Sequence, residues 1–282
     1  MIFVSSSCFK KKKINDLLNY CKKNKIKNLE FSGGSEYQKD ILKILTKYSK
    51  YFNYSIHNYF PPPKENFIIN LGSINNDIRL KSIIFCKKSI DLCKKLKIKF
   101  YSIHAPFLID FETKEAGKKI VRRKLYSYDQ VLTNFKKSWK TLTDYAGKDV
   151  NLYLENNVIN KKNFLNYNKK NPFLLTDFDS YKRLRKVVKF KALLDIAHLK
   201  VSSHTLKNNF FEEALEFSKK TNYFHISDNN GLKDQNDGLR KNGEIFKFLK
   251  NYKFKKNAIF TLEIYKDLSI IKKNIKILKE IL

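Results

Sequence analysis

The chain has 282 residues, 42% of them apolar and 14% aromatic, which supplies a large core and excludes a disordered chain. Lys and Arg number 58 against 27 Asp and Glu, a formal charge of +31, and only six of the basic residues are Arg. No apolar run approaches the roughly 18 residues of a membrane span, and the four cysteines show no CxxC spacing that would suggest a disulfide framework or a zinc knuckle.

The start, MIFVSSSCFKKKK, places its apolar stretch before its charges, the reverse of a secretory signal. A soluble protein of a reducing cytoplasm is expected. The basic excess has two readings that composition leaves open. One is binding to nucleic acid or another polyanion. The other is coding bias, since Lys, Asn, Ile, Phe and Tyr are all abundant while Ala, Gly and Pro are sparse. A sequence-specific DNA reader would favour Arg over Lys for its bidentate fork. Oligomeric state leaves no signal.

In chain order, short β-rich runs fall at 2–6, 27–32, 51–57, 99–104, 149–155, 191–195, 221–226 and 257–264. Amphipathic, Lys-rich helical patterns lie between and after them at 12–24, 37–50, 78–97, 126–146, 206–219, 243–251 and 267–281, with a further helix at 177–188. Ile83, Ile84, Cys86, Ile90, Leu92 and Leu96 illustrate the helical stripe, and Cys86 and Cys93 read as core thiols. Eight strands alternating with helices predict parallel strands joined by right-handed crossovers. A (β/α)8 TIM barrel over residues 1–282, as a single domain, is expected. Alternation also fits an open doubly wound sheet, but candidate ligands on six strands would meet only if the sheet closes. Long connections at 58–77, with Pro61-Pro62-Pro63, and at 105–125 would shape a pocket at the barrel mouth. The Asn- and Lys-rich segment 156–190 suggests solvent exposure.

Six metal-binding side chains close successive β-runs: His57, His104, Glu155, Asp195, His225 and Glu263. Strand carboxyl ends converge on one rim of such a barrel, so these groups are expected to meet around a divalent ion: Mn, Zn, Mg or Co. Each residue alone has a plainer reading, a capping or ion-paired Glu or a structural His. The coincidence carries the inference, because four of the five histidines belong to this series and His204 reads as a surface residue. Glu155 and Glu263, on the fifth and eighth strands, suit a base and an acid on opposite faces of a substrate. Asp195 and His198 form a DxxH where the chain turns into a loop. After the seventh strand, Asp228 to Gly238 is polar and acidic. It reads either as a pair of Asx turns or as a lid bringing Asp234 to the mouth.

Those segments resemble a known superfamily over nearly the whole chain. The resemblance rests on the IELS-like Asn28-Leu29-Glu30-Phe31-Ser32-Gly33-Gly34, on His57, and on Ser102-Ile103-His104-Ala105-Pro106. It continues through Leu154-Glu155-Asn156-Asn157, Leu194-Asp195-Ile196-Ala197-His198, His225-Ile226-Ser227-Asp228 and Leu262-Glu263. Together they resemble the xylose isomerase-like barrels, which hold sugar isomerases and epimerases and the endonuclease IV type of abasic-site nuclease. The segment from His57 through Leu71 also looks like sugar phosphate isomerase/epimerase-type proteins associated with surface polysaccharide genes. The epimerase resemblance implies one ion, often manganese, on Glu155, Asp195, His225 and Glu263. The two glutamates would exchange a proton beside a carbonyl, and His198 would bind a sugar or sugar phosphate. His57 and His104 would then also face the substrate. The nuclease resemblance implies three zinc ions on His57, His104, Glu155, Asp195, His198, His225, Asp234 and Glu263. It also implies a His two residues after Asp234, where this chain has Asn236. A non-catalytic barrel kept as a binding module is a third reading.

Overall fold

The computed structural model describes residues 1–282. Eight parallel strands close into a barrel in chain order: β1 (Ile2–Ser5), β2 (Asn28–Phe31), β3 (Asn53–His57), β4 (Phe100–His104), β5 (Asn151–Glu155), β6 (Lys191–Asp195), β7 (Tyr223–Ile226) and β8 (Ile259–Leu262). Ile2 pairs with Phe260, so the last strand seals against the first. The expected (β/α)8 architecture is the one found.

The strand sequences explain how the barrel fills. Side chains alternate across a strand. One set (Val4, Leu29, Ile56, Tyr101, Ile103, Leu154, Leu194, Phe224 and Leu262 among them) belongs to the main core beneath the helices. The other set lines the bore. At the amino-terminal end it is apolar: Phe3, Tyr153, Leu193, Tyr223 and Ile259 form a separate buried cluster with Phe100 against it. Two residues further along the same strands, the chemistry becomes polar and acidic: Ser5, Ser102, Glu155, Asp195, His225 and Thr261, all buried. An apolar plug thus underlies a polar rim.

Ten helices cover the barrel: α1 (Ile14–Lys23), α2 (Ile41–Tyr48), α3 (Asn76–Leu96), α4 (Tyr128–Ala146), α5 (Lys161–Asn166), α6 (Phe178–Val187), α7 (Ile196–Leu206), α8 (Phe210–Ser218), α9 (Glu244–Asn251) and α10 (Leu268–Ile281). Most follow the expected amphipathic stretches. Two correct the sequence reading. The first is α7, which begins at the residue after Asp195, where a loop was expected. Its first eight residues are all buried, so no polar stripe marks it as a helix. The second concerns 156–190, which is not a solvated stretch. Asn156, Asn157 and Asn163 are buried, and their amides satisfy backbone groups of neighbouring loops.

The plug yields a prediction. Phe3 is 1% exposed inside the bore, so Phe3→Ala should destabilise the fold by about 3–5 kcal/mol. Denaturant unfolding checks it, and a shift below about 1 kcal/mol would mean the plug repacks around the loss.

Candidate active site

The rim residues converge. Glu155 closes β5 and is fully buried, and its two oxygens face different imidazoles. Oε2 lies 3.2 Å from His57 Nε2 and 3.3 Å from His104 Nδ1. Oε1 lies 3.3 Å from His225 Nδ1 and 3.7 Å from His198 Nδ1. Glu263, one residue past β8, brings Oε2 to 3.7 Å from the same His225 Nδ1. Both expected glutamates therefore meet at one imidazole nitrogen.

Three of the four rings are held from behind. His57 Nδ1 shares a 2.9 Å hydrogen bond with Ser102 Oγ. His198 Nδ1 is 3.0 Å from the Asn156 carbonyl, which accepts from that nitrogen and leaves Nε2 facing Asp234 Oδ2 at 3.3 Å. His225 Nε2 stands 2.8 Å from Glu30 Oε1. The other Glu30 oxygen accepts from Ser55 and Thr261, each at 3.1 Å, and from the Tyr223 hydroxyl. Such partners fix ring orientation and aim one nitrogen at a common centre. Asp195 is the N-cap of α7: Oδ1 accepts from the His198 backbone N–H at 2.7 Å, and Oδ2 remains free. Asn156 locks it in place, with Oδ1 accepting from Asp195 N–H and Nδ2 donating to Asp195 C=O.

The free atoms identify what the cluster can hold. Both Glu155 oxygens, Asp195 Oδ2, His104 Nδ1 and His225 Nδ1 are buried without a hydrogen-bond partner. Unpaired buried groups of this kind are costly, and a cation is the partner that suits them all. Three overlapping ligand sets have donor atoms within 4.8 Å of one another: Glu155, Asp195 and His225; His57, His104 and Glu155; and Glu30, His57 and His225. Donor chemistry and orphaned atoms both fit a divalent ion. At the remaining position, His198 and Asp234 meet. Asn236, two residues on, is buried and lines the mouth, with an amide in place of an imidazole.

Protons titrate accordingly. Burial would raise Glu155, but the His104, His57 and His225 rings outweigh it and hold its carboxyl well below the usual range. Burial dominates elsewhere, lowering His57 to about 4 and raising Asp195 to about 6 and Glu263 to about 8. His225 and His198 are raised despite burial, by Glu30, Glu263 and Glu155 in the first case and by Asp195 and Asp234 in the second. The carboxylates thus favour the charged form of His225 and His198, whereas burial disfavours it at His57 and His104.

Several features escaped the sequence reading. Glu30 supports His225 from beneath, although only its place in a resembling segment drew notice. Lys200, 2% exposed, donates to Asp228 Oδ1 at 3.0 Å and to the Asn229 carbonyl at 2.7 Å. Arg240 Nε donates to Asp228 Oδ2 at 3.0 Å. Paired backbone bonds between Asp228 and Asp237 close the segment into a strap, and this strap presents Asp234 to His198. His204 is exposed, as expected, although its ring packs against Gly231, where any Cβ would sit 2.3 Å from Nδ1, and its Nε2 lies 3.2 Å from Glu244 Oε1. Finally, Glu115 accepts a two-pronged contact from Arg123 at 3.0 and 2.7 Å, pinning the 105–125 loop.

A cavity of about 510 Å³ opens above the cluster. His57, His104, His198, Asp234 and Glu263 line it, whereas Glu155, Asp195 and His225 lie beneath. Of its 29 lining residues, only Lys118 is a Lys or Arg. A proportional share of the chain's 58 basic residues would be about six.

A model of the xylose isomerase-like TIM barrel family matches residues 19–281. The chain belongs to that family. In sequence it is 38% identical over 56 residues to a probable endonuclease 4 of Thermotoga petrophila, a match spanning 20% of each chain. In structure it resembles a D-tagatose 3-epimerase-like protein (TM-score 0.70, 15% identity, covering 99% of this chain and 98% of that one). It also resembles endonuclease IV from Thermus thermophilus (TM-score 0.61, 12% identity, covering 99% and 97%). At such identities these likenesses concern the fold. No helix is long and apolar enough to cross a membrane.

The strap offers a test. Asp228 is fully buried between two cations, so Asp228→Asn leaves the Lys200 ammonium buried without its carboxylate. The expected loss is about 3–5 kcal/mol near pH 7. Arg240 and Lys200 outweigh burial and lower the Asp228 carboxyl, so the contribution is present above the usual carboxylate pKa. It fades as pH falls through the lowered one. Urea melts of both proteins should therefore converge in strong acid, and a gap that widens there would contradict the pairing.

Proposed function

We propose that this protein is a metal-dependent isomerase or epimerase acting on a neutral sugar or sugar derivative, with Glu155 and Glu263 exchanging a proton beside a carbonyl. The poverty of Lys and Arg in the cavity lining carries the reading. A site that clamps a phosphate, or tracks a phosphodiester backbone, gathers cations around it, and here Lys118 stands alone in a chain of +31. Asn58, Asn66, Asn160 and Ser32 on the same lining suit sugar hydroxyls.

Glu155, Asp195, His225 and Glu263 would hold the ion, with Glu155 also reaching the His57 and His104 side. When bound, a divalent ion supplies polarisation of the carbonyl and stabilises the negative charge developing on its oxygen. Glu263 lines the cavity and is the carboxylate placed to take a proton from substrate carbon. Glu155 would return one from the opposite side. His198, whose Nε2 faces Asp234 Oδ2 at 3.3 Å on the cavity wall, would hold a substrate hydroxyl together with that carboxylate.

One observation favours a second reading, phosphodiester hydrolysis of the endonuclease IV type. Two ligand sets share Glu155, and a pair of ions suits a clamp on the two oxygens of an in-line displacement. Elemental analysis, proton exchange from heavy water into ketohexoses, and cleavage of a duplex carrying one abasic site separate the two. Exchange without cleavage is the expected result; cleavage without exchange overturns the proposal.

The two carboxylates should also part company on mutation. Glu263→Gln should lower exchange by about 10²–10⁴-fold while at least one ion stays bound. Glu155→Gln should lose both exchange and metal. Because carboxylates and imidazoles bind metal only when deprotonated, affinity should fall as pH drops below about 8, where Glu263 takes up a proton, and further below about 6, where Asp195 does. Isothermal titration at pH 5 and pH 7.5 reads this directly, and equal affinities would exclude the buried cluster as the metal's seat.

A further inference from the structure

We propose that the mouth contains a second subsite, for an uncharged aromatic or alkyl group attached to the substrate, walled by Ile68, Phe107, Phe111, Ile120 and Phe173. The proposal rests on the reading that the sugar part sits over the carboxylate–imidazole cluster.

The cavity runs from Glu263, His57 and His198 at one end to Phe111 and Ile120 at the other. Its volume of about 510 Å³ lies in the range of pockets that enclose drug-sized ligands, more than one six-carbon sugar needs. The far end is apolar. Phe107 packs edge-on against Phe111 at 5.1 Å and against Phe173 at 5.4 Å. With Ile109, Ile120, Ile159 and Tyr167 behind them, Phe107 and Phe173 form a hydrophobic cluster separate from the main barrel core. Phe111 and Ile68 are only partly buried and present their free faces to the cavity.

The chamber is sewn open by polar bonds. The Asn70 amide donates to the Phe107 and Ile109 carbonyls and to Asp110 Oδ1. Ser73 and Tyr126 donate to the other Asp110 oxygen. These bonds tie the loop after β3 to the loop after β4. Phe107 and Phe173 form an isolated antiparallel bridge, which joins the loop after β4 to the segment after α5. Asn163 accepts from Ile120 N–H and donates to the Lys118 carbonyl. Loops held this way cannot fold inward to cover Phe111 and Ile68. A preformed apolar hollow beside a polar centre is the usual form of a small-molecule site. The single cation nearby gives an anionic appendage no clamp, which leaves an uncharged one.

The test uses 2-naphthol, neutral at pH 7 and fluorescent, titrated into the full chain with and without a chelator. Saturable binding at one per chain, insensitive to the chelator, is expected. It should weaken at least tenfold in Phe111→Asp or in the milder Ile68→Gln, whichever variants retain the wild-type melting transition. Absence of saturable binding, or binding unchanged in both variants, overturns the subsite. Failure here leaves proton exchange into ketoses untouched. Conversely, a protein that exchanges no ketose proton yet binds naphthol through Phe111 would sink the isomerase reading and keep this one.

Discussion

One buried carboxylate organises the mouth of this barrel. Glu155 has no solvent exposure, and its two oxygens are divided between rings that arrive from four other elements. A charge so placed costs several kcal/mol unless it is compensated, and every nearby feature supplies compensation or orients what does. His57 and His104 come from the preceding strands, His225 from β7, and His198 from the first turn of α7. His104 is Glu155's own neighbour across the β4–β5 ladder, but Glu30 of β2 meets His225 of β7 only across the β1–β8 seam, so closure of β8 onto β1 is as much a requirement of the site as of the core.

Support for the rings is graded through the bore. Tyr223 belongs to the apolar plug, yet its hydroxyl reaches Glu30, which in turn stands against His225. Packing at the bottom of the barrel is thereby coupled to imidazole orientation at the top through a short polar chain. Helix α7 performs the corresponding task on the other side. Asp195 caps it, His198 faces inward, and Lys200 and His204 grip the strap that carries Asp234. A helix with duties on every side has no face left for solvent.

That explains what the sequence disclosed and what it withheld. Strand ends were legible because an ionisable residue closing an apolar run is a local signal, repeated six times. Amphipathic helices were legible because one face meets water. Helix α7 was not, since burial all round erases the 3.6-residue stripe on which such a reading depends. Glu30 was not singled out as a site residue because a lone acid within Asn28–Phe31 carries no mark of the His225 ring, nearly two hundred residues further along the chain. Asparagines between 156 and 166 looked like solvated loop, yet Asn156, Asn157 and Asn163 are buried and act as substitutes for backbone partners. Composition cannot tell an amide that faces water from one that satisfies a carbonyl.

Charge shows the same limit in a form that bears on function. A total of +31 invites a polyanionic partner, and taken alone it would favour the nuclease branch of the family. Fields are local, however, and screening confines exposed lysines to about 10 Å at moderate salt. What substrate meets first is the wall of the cavity, and that wall holds one Lys, two acids, several amides and a bank of aromatic rings. The excess therefore lies outside the cavity wall. There it can keep the protein soluble, or draw acidic neighbours, without entering the chemistry. Selectivity at the mouth would come instead from hydroxyl-matching amides beside the carboxylate–imidazole cluster and from the apolar hollow beyond them.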